Sequence, residues 1–487
     1  MSSSTATTFS VFASNFDYLT NPFDMKLLDK MYTRTLTLSA VFVATLVMTG
    51  TLLFSGCSST TTSPVVSTKL TQVGNLITSD TLKGAMKGTL ATGHTYYLVS
   101  DLIIPRGDTI VMQPGAKIIV LNTSPGSTTA PEITLLGTFA SLGTKDKPNY
   151  ITIDPSQQTY TNLPLGNWAG IQGDTGSGDL ILKWTHIEYG GAQDRLGKNN
   201  YIIWFQSQNH NFILEDSWIT GGQDDAIRVS GGHVSCMRNT FECGGYKGGD
   251  AFNVKSGTVG DIAYNVFMGA PTNGPKLSNK GGSTVQTNCN IYNNTIINCG
   301  WRQYQVGRSG STNIEEGARG TEYNNLIVNC RTGLRLFNNP LADTAHVFYD
   351  AQFYYASRDN IRDDAASFGG FYPGDGIQVH MPLDVAGGTR QNDPQFVNYD
   401  VNKFAGLDSA FVQKSTMSRW TEDMTRVAGY DLHLKTSSPA VGKAFVGPAP
   451  VQIPMRACPQ GGDFGANTIG LGRDFGAFQS DGTGNQH

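Results

Sequence analysis

The residues best suited to chemistry in this chain are acidic and basic side chains that lie close together near its middle. They are Asp224, Asp225, Arg228, His233, Lys247, Asp250 and Lys255. Two neighbouring carboxylates can share a proton or bind a hard cation such as Ca²⁺. A nearby amine or guanidinium can act as a base or neutralise an acidic substrate. The cluster therefore suggests catalysis or cation binding at one surface.

Two similar stretches place members of this cluster side by side. Residues 225–234 read DAIRVSGGHV and residues 250–259 read DAFNVKSGTV, an offset of 25 positions (250 − 225). If these are adjacent strands, their backbones lie about 4.8 Å apart. The catalytic candidates are then Asp225, Arg228, Asp250 and Lys255, and the calcium candidates are Asp224, Asp225 and Asp250. Alternatively, each Asp closes a turn with its own backbone, and His233, which aligns with Thr258, is also a turn residue.

A second pair of titratable side chains lies upstream. In the segment 184–189, His186 and Glu188 are two positions apart, so a strand would present both on one face. They can form an acid–base pair, or they can simply be the exposed polar face of a strand.

Tryptophan is the third candidate feature. The rings proposed to contact a ligand are Trp184, Trp204, Trp218 and Trp301. Exposed aromatic rings stack on sugar faces, whereas buried ones contribute apolar area to the core. A solvent-facing row of such rings would suit a long polysaccharide.

The elements that must position these residues are repeats. Residues 292–300 read YNNTIINCG and residues 323–330 read YNNLIVNC, an offset of 31 positions (323 − 292), and looser copies occupy 238–243 and 264–269. A period of this size is typical of stacked repeats that bury their apolar faces on one another. This repeated sequence therefore predicts a coil of short strands.

The repeats also predict which side chains face inward. Strand alternation places Ile227, Val229, Phe252 and Val254 inside, with Arg228 and Asn253 outside. Asn294 and Asn325 occupy the same position in the repeat, and Asn239 and Asn265 occupy it with a shift of one residue. We expect the side-chain amides of these four turn residues to hydrogen-bond to one another along the coil. Cys299 and Cys330 match in position and are expected to stack, either as reduced apolar fillers or as a disulfide.

The composition excludes several classes. The chain has 487 residues, 57 of them glycine, a formal net charge of −4 and 15% charged residues. Short apolar runs end at Gly, Pro, Asp or Asn, which is typical of strands and turns. Without a basic excess we expect no nucleic-acid partner, and without a C-x-x-C pair we expect no zinc site.

The N-terminal region has the pattern of a secretory signal. Arg34 precedes an almost uncharged stretch, residues 36–54, which leads to the sequence LFSGC at 53–57. This exit resembles a bacterial lipobox, which implies that Cys57 receives lipid and becomes the mature N-terminus. The alternative is a retained membrane-spanning helix. The true start can also be Met25 or Met31.

Longer motifs resemble the secreted right-handed parallel β-helix proteins of bacteria, the pectate-lyase-like superfamily. They are TYYLVSDLIIPRGDTIVMQPGAKIIV at 95–120, ITLLGTFASLGTKDKPNYITI at 133–153, GNWAGI at 166–171, WTHIEYGG at 184–191, DPQFVN at 393–398, DLHLKTSSPAVGKA at 431–444 and DFGAFQ at 474–479. These motifs mark architecture and carry no catalytic residue.

The resemblance also has implications for chemistry. Lyases of this fold hold Ca²⁺ on carboxylates while a cationic residue removes a proton beside the sugar carboxylate. The run DDAI at 224–227 is similar to the paired aspartates of polygalacturonase-type hydrolases. The upstream Asn-x-Asp, the Gly-His-Gly and the Arg-x-Lys of that family are missing, which speaks against hydrolase activity.

The predicted fold is therefore all-β, a single-stranded right-handed parallel β-helix of about nine to twelve rungs with end caps. We assign residues 1–57 to an extension and signal peptide, 58–83 to a tether and 84–340 to the coil. Residues 341–430 are expected to form an irregular insertion, with a short helix around 407–428, and 431–487 the last rung and cap.

Three functions remain open. The expected one is a lipid-anchored protein of the bacterial envelope, at the outer membrane or cell surface, that binds a glycan or a surface partner without catalysis. The alternatives are a polysaccharide lyase or glycoside hydrolase acting on acidic polysaccharide, with Ca²⁺ as the possible cofactor, and a structural or adhesive spacer. We expect a monomer.

Overall fold

The computed structural model describes ten stretches of the chain within one compact unit, Ser67–His487. They are residues 73–193, 201–245, 248–302, 310–336, 341–357, 381–387, 389–404, 422–427, 429–447 and 470–487. The predicted lipidation site Cys57 lies outside these residues, as do the proposed leader and most of the tether.

The described chain coils through three parallel ladders, here called ladders 1, 2 and 3 in the order in which each turn visits them. Ladder 1 has ten described strands: Gly88–Leu90, Thr109–Met112, Thr138–Leu142, Leu180–Lys183, Asn211–Glu215, His233–Met237, Val259–Ala263, Asn288–Tyr292, Arg319–Tyr323 and Val347–Asp350. Each pairs in parallel with the strand one turn earlier and one turn later. This topology confirms the parallel β-helix.

Ladders 2 and 3 start from one long strand, Thr95–Ile104, whose first half belongs to ladder 2 and whose second half belongs to ladder 3. The preceding strand, Thr81–Ala85, pairs with it in parallel. Ladder 2 continues with Lys117–Val120, Asn149–Ile153, Thr185–Glu188, Trp218–Thr220, Thr240–Glu242, Val266–Met268, Thr295–Ile297, Leu326–Val328 and Phe353–Tyr355. Ladder 3 continues with Ile133–Leu135, Ile171–Gly173, Ile203–Phe205, Ile227–Ser230, Phe252–Lys255, Pro275–Ser278, Asn313–Glu315 and Arg335–Leu336.

The core lies inside the coil, where strand alternation places one side chain of every two. Ile227 aligns with Phe252, and Val229 with Val254. All four are fully buried, whereas Arg228 and Asn253 face outward between them. The inward and outward assignments from the sequence are confirmed, because stacked rungs keep their register and the register fixes which face each residue occupies.

The predicted asparagine ladder is present. The side-chain amide of Asn239 donates to Asn265 Oδ1 (2.9 Å), and Asn265 donates to Asn294 Oδ1 (3.0 Å). Asn294 donates to Asn325 Oδ1 (2.9 Å), and Asn325 to Gln352 Oε1 (3.0 Å). Each of the first three oxygens also accepts the backbone N–H of the preceding asparagine. The ladder therefore satisfies buried polar groups at one corner of the coil over five rungs.

Cys299 and Cys330 stack as expected and are both free and buried. Their thiols contact carbonyl oxygens of the preceding rung, Phe267 and Ile296 respectively. They are thus reduced fillers in this structure, and the disulfide alternative is not formed.

The C-terminal part of the chain folds back over the outer face of ladder 2. Outward residues of the later rungs, such as Met268, Ile297 and Val328, form an apolar cluster with Phe396, Leu432, Phe475 and Phe478. Two short strands, Phe396–Asn398 and Asp431–Leu434, pair in antiparallel fashion here. This packing buries what would otherwise be an exposed apolar face.

Helices are few in the described chain. The 3₁₀ turns are Pro155–Gln157, Tyr160–Leu165, Thr344–His346 and Val401–Lys403, and the α-helix is Glu422–Thr425. No described helix is long and apolar enough to cross a membrane. The α-helix falls within the range 407–428, most of which lies outside the described residues. The coil itself runs to Tyr355, beyond residue 340, where the sequence suggested that it ends.

Candidate functional site

The polar cluster predicted from the sequence lies on the outer face of ladder 3 and in the turns that lead into it. Asp225 and Asp250 precede two paired strands, so they stack on adjacent rungs. The backbone N–H of Asp250 donates to Asp225 Oδ1 at 2.8 Å. Each carboxylate accepts a backbone N–H of the next rung, as the turn-closing interpretation expects, and the catalytic interpretation stays a prediction.

Arg228 pairs with Asp225, which lies in the turn before its strand. Its Nε and Nη2 donate to Asp225 Oδ2 at 3.0 and 2.6 Å. The guanidinium carbon also lies 4.0 Å from the centroid of the Tyr201 ring, a cation–π contact. About a quarter of the Arg228 side chain, 23%, is exposed, so the guanidinium borders solvent while it neutralises Asp225.

Asp250 is enclosed by donors. The Asn253 amide donates to both Asp225 Oδ2 and Asp250 Oδ2 at 2.9 Å, and the Asn273 amide donates to Asp250 Oδ1 at 2.7 Å. Burial disfavours the ionised form of Asp250, but nearby Lys276 and the hydrogen bonds from Thr272 and Asn273 outweigh it and hold the pKa of this carboxyl below its usual value. Asp250 is therefore an anion at neutral pH.

The next two rungs each add a residue that the sequence did not single out, Lys276 and then Glu315. Lys276 Nζ lies 2.8 Å from Glu315 Oε1 and 3.9 Å from Asp250 Oδ2, so it links two carboxylates. Lys276 aligns with Asn253, which itself aligns with Arg228. The signal that could have found it is the run NGPKL at 273–277, a degenerate third copy of DAIRV and DAFNV.

Lys255 is the cation of the cluster whose pKa is lowered rather than raised. Burial, followed by repulsion from Lys276 and Arg228, lowers the pKa of the Lys255 amine. No carboxylate of the described residues lies within ion-pair distance of it. A lysine with a lowered pKa has a larger neutral fraction and can accept a proton more readily.

Asp224 has the opposite shift. Burial, reinforced by the charge of Asp225, raises the pKa of the Asp224 carboxyl to about 6. Asp224 is therefore protonated more readily than an ordinary aspartate.

The arrangement does not fit the calcium site suggested by the sequence. A Ca²⁺ ion needs several oxygen lone pairs that converge on it. Here Asp225 and Asp250 instead accept hydrogen bonds from amide and guanidinium groups. No group of three or more His, Cys, Asp or Glu in the described chain is arranged to hold a metal ion.

Two further members of the predicted cluster are placed differently. His233 is the first residue of a ladder 1 strand, aligned with Asn211 and Val259, rather than a turn residue of the site. Lys247 lies outside the described residues.

The tryptophans do not form one exposed row. Trp301 is 1% exposed, and its indole N–H donates to the carbonyl of Asn329 at 2.7 Å, so it is a core residue and the prediction of ligand contact is wrong for it. Trp204 lies on the outer face of ladder 3, Trp218 on ladder 2, and Trp184 at the corner before ladder 2 with φ of 48°.

On ladder 2 the aromatic rings stack on each other. The His186 ring lies 4.4 Å from Tyr150 and 4.0 Å from Trp218, and Trp218 lies 3.8 Å from His487. The ring planes are within 5–18° of parallel, so each face of Trp218 is covered. A sugar cannot stack on a face that another ring already occupies, so this stack offers ring edges only.

The predicted pair of His186 and Glu188 is formed. His186 Nδ1 lies 3.6 Å from Glu188 Oε1, and the Thr152 hydroxyl donates to Glu188 Oε2 at 2.9 Å. Burial opposes ionisation of Glu188, but His186 and Thr152 outweigh it and lower the pKa of the carboxyl. Glu188 is therefore ionised at neutral pH.

No protein-family model, no curated protein and no solved structure matches this chain in the comparisons with known proteins. The candidate site is accordingly judged on its own chemistry.

Proposed function

We propose that this protein binds a glycan along the outer face of ladder 3 without cleaving it. One observation carries the proposal. Trp204, Arg228, Asn253, Lys276 and Asn313 occupy the same register position on five successive strands. Since adjacent rungs are about 4.8 Å apart, aromatic, cationic and amide groups follow one another along the coil axis.

Such a row suits an extended chain of sugars that carry carboxylates. Cationic side chains and amides bind carboxylate and hydroxyl groups through charge-assisted and neutral hydrogen bonds. An aromatic ring at one end provides apolar contact with a sugar ring. The resemblance to the pectate-lyase-like superfamily supports the same substrate class, acidic polysaccharide, as part of this proposal.

A second candidate function, polysaccharide cleavage by β-elimination, is favoured by the lowered pKa of Lys255. In this reaction a base removes the proton next to a sugar carboxylate and the glycosidic oxygen leaves, which creates an unsaturated sugar. Lys255 is the base candidate, and Arg228 can neutralise the carboxylate. Asp225 then holds Arg228 in position and Asp250 holds Lys276, and neither carboxylate touches the reacting atoms.

The binding proposal is tested by affinity electrophoresis with polygalacturonate and alginate as acidic probes and a neutral glucan as reference. Trp204→Ala and Lys255→Gln should each weaken binding to the acidic polymers by about tenfold, since each removes one contact worth about 1–2 kcal/mol. Lys87→Gln is the matched control, because Lys87 is 69% exposed and distant in sequence from the site. Equal losses in the control would overturn the proposal.

The same polymers separate the alternatives when they are incubated with the protein, with and without Ca²⁺. Unsaturated products that disappear in Lys255→Gln would establish the lyase and overturn binding without catalysis. Binding without such products supports the proposal as stated. If the protein neither binds nor cleaves these polymers, the remaining hypothesis is the structural spacer.

A further inference from the structure

A cavity of about 280 Å³ lies on the outer face of ladder 2, at the point where the C-terminal segment folds back over the coil. Its floor consists of two outward columns of ladder 2. One column runs through His186, Trp218 and Thr240, and the other through Glu188, Thr220 and Glu242. Its walls come from Arg426, Val427, Tyr430, Leu432, Phe478 and His487. The cavity is separate from the ladder 3 site.

The charges that surround this cavity are unbalanced. Arg426 is held by two carboxylates, with its Nε 2.8 Å from Glu242 Oε2 and its Nη1 2.9 Å from Glu422 Oε1. Glu188 forms no ion pair with Arg426, which acts on it only at longer range; its contacts are the His186 ring and the Thr152 hydroxyl. Its side chain is 20% exposed. Among the described residues that line the cavity, two carboxylates therefore face one guanidinium.

His487 does not supply the missing charge. Burial lowers the pKa of His487 to about 3, so this ring is neutral, and it is packed flat against Trp218. The His487 Nδ1 lies 3.2 Å from the Thr240 hydroxyl, whereas its buried Nε2 has no hydrogen-bond partner. The cavity thus contains an ionised carboxylate, and Val427, Leu432 and Phe478 give it apolar walls.

We propose that this cavity binds a small organic cation, an ammonium group on a compact carbon body, with Glu188 as its counter-ion. A carboxylate has about four acceptor positions, and Glu188 uses only part of them. An ionised group in a half-buried apolar site is stabilised most by an opposite charge that also hydrogen-bonds to it. Val427, Leu432 and Phe478 cover the carbon body of such a ligand.

Two sources can provide this chemistry: an alkylamine, such as a lysine side chain of another protein, and an amino sugar. Isothermal titration calorimetry with the intact protein distinguishes them, with n-butylammonium and glucosamine as probes. N-acetylglucosamine and 1-butanol are the matched neutral compounds. We expect at least one cation to bind and both neutral compounds to bind at least about tenfold more weakly.

Glu188→Gln is the main test, since it keeps the shape of the side chain and removes its charge. It should weaken cation binding by about tenfold or more, whereas Asp80→Asn, which removes an exposed carboxylate far from the cavity, should leave it unchanged. Glu188→Asp keeps the charge on a shorter side chain and should give an intermediate affinity. Circular dichroism spectra confirm that each variant is folded.

Three results would overturn the proposal: no binding of either cation at millimolar concentration, equal binding of charged and neutral compounds, or unchanged cation binding in Glu188→Gln. None of them bears on ladder 3, so failure here is distinguishable from failure of the proposed glycan binding.

Discussion

Glu322 is a carboxyl group placed inside the coil. It belongs to the ladder 1 strand Arg319–Tyr323 and aligns with the inward-facing Ile291. Its side chain is fully buried, its Oε2 accepts a hydrogen bond from the Thr312 hydroxyl at 2.8 Å, and its Oε1 has no partner. Burial raises the pKa of Glu322 to about 8. The folded protein therefore keeps this group protonated at neutral pH.

This shift predicts a dependence of stability on pH. Between the ordinary pKa of 4.5 and about 8, the folded state holds a proton that the unfolded state has released. The free energy of unfolding therefore falls as the pH rises through this window. Glu322→Gln removes the titration, so we expect the variant to be about 3 kcal/mol more stable than the wild type at neutral pH, with little difference near pH 4.

Urea unfolding followed across this pH range measures the effect. Asp80→Asn serves as a control for removal of an exposed carboxylate. If Glu322→Gln loses stability with pH as steeply as the wild type, the group is not protonated in the fold.

At the scale of the elements, the asparagine ladder is a testable source of stability. In Asn294→Ala, Asn265 loses the acceptor of both its backbone N–H and its side-chain amide. Asn325 Oδ1 loses the side-chain donor of Asn294 and keeps the backbone N–H of residue 294. Buried donors without acceptors cost about 1–3 kcal/mol each. We therefore expect Asn294→Ala to lower the free energy of unfolding by about 3 kcal/mol or more.

Chemical denaturation with Asn398→Ala as the matched control checks this prediction. Asn398 is exposed, so its loss should change stability by less than about 0.5 kcal/mol. Equal effects of the two substitutions would mean that the ladder fills a corner without stabilising it.

The elements also explain which features the sequence revealed. The inward positions Ile227 and Phe252 and the ladder asparagines were predictable, because stacked rungs repeat both the residue and its environment. Lys276 was missed because its rung replaces the preceding Asp by Asn and the apolar Ile or Phe by Pro. The burial of Trp301 could not be read from its own neighbourhood, since it packs against Phe404, which is distant in sequence.

At the scale of the whole molecule, the two proposed sites lie on different faces of the coil. The C-terminal segment covers the later rungs of ladder 2 and ends at the cavity beside Glu188. Ladder 3 keeps its polar row in the middle rungs, where repetition does not dictate the outward residue. A protein built this way can hold one ligand along an extended face and a second in a small cavity without changing its core.

The position of the molecule in the cell depends on the segment before the coil. We propose that the chain is cleaved before Cys57 and lipidated there, which places the body at the bacterial envelope. Cys57→Ser should then abolish incorporation of labelled fatty acid, whereas Cys458→Ser should not. The wild-type mature protein should lack residues 1–56 by mass spectrometry.

If residues 36–54 instead remain as a membrane-spanning helix, Cys57→Ser should stay in the membrane without lipid, because the helix has roughly 30 Å of apolar length. Two results together would replace the lipid-anchor proposal by a membrane-spanning helix. They are a full-length Cys57→Ser protein that still requires detergent and a wild-type protein that carries no fatty acid.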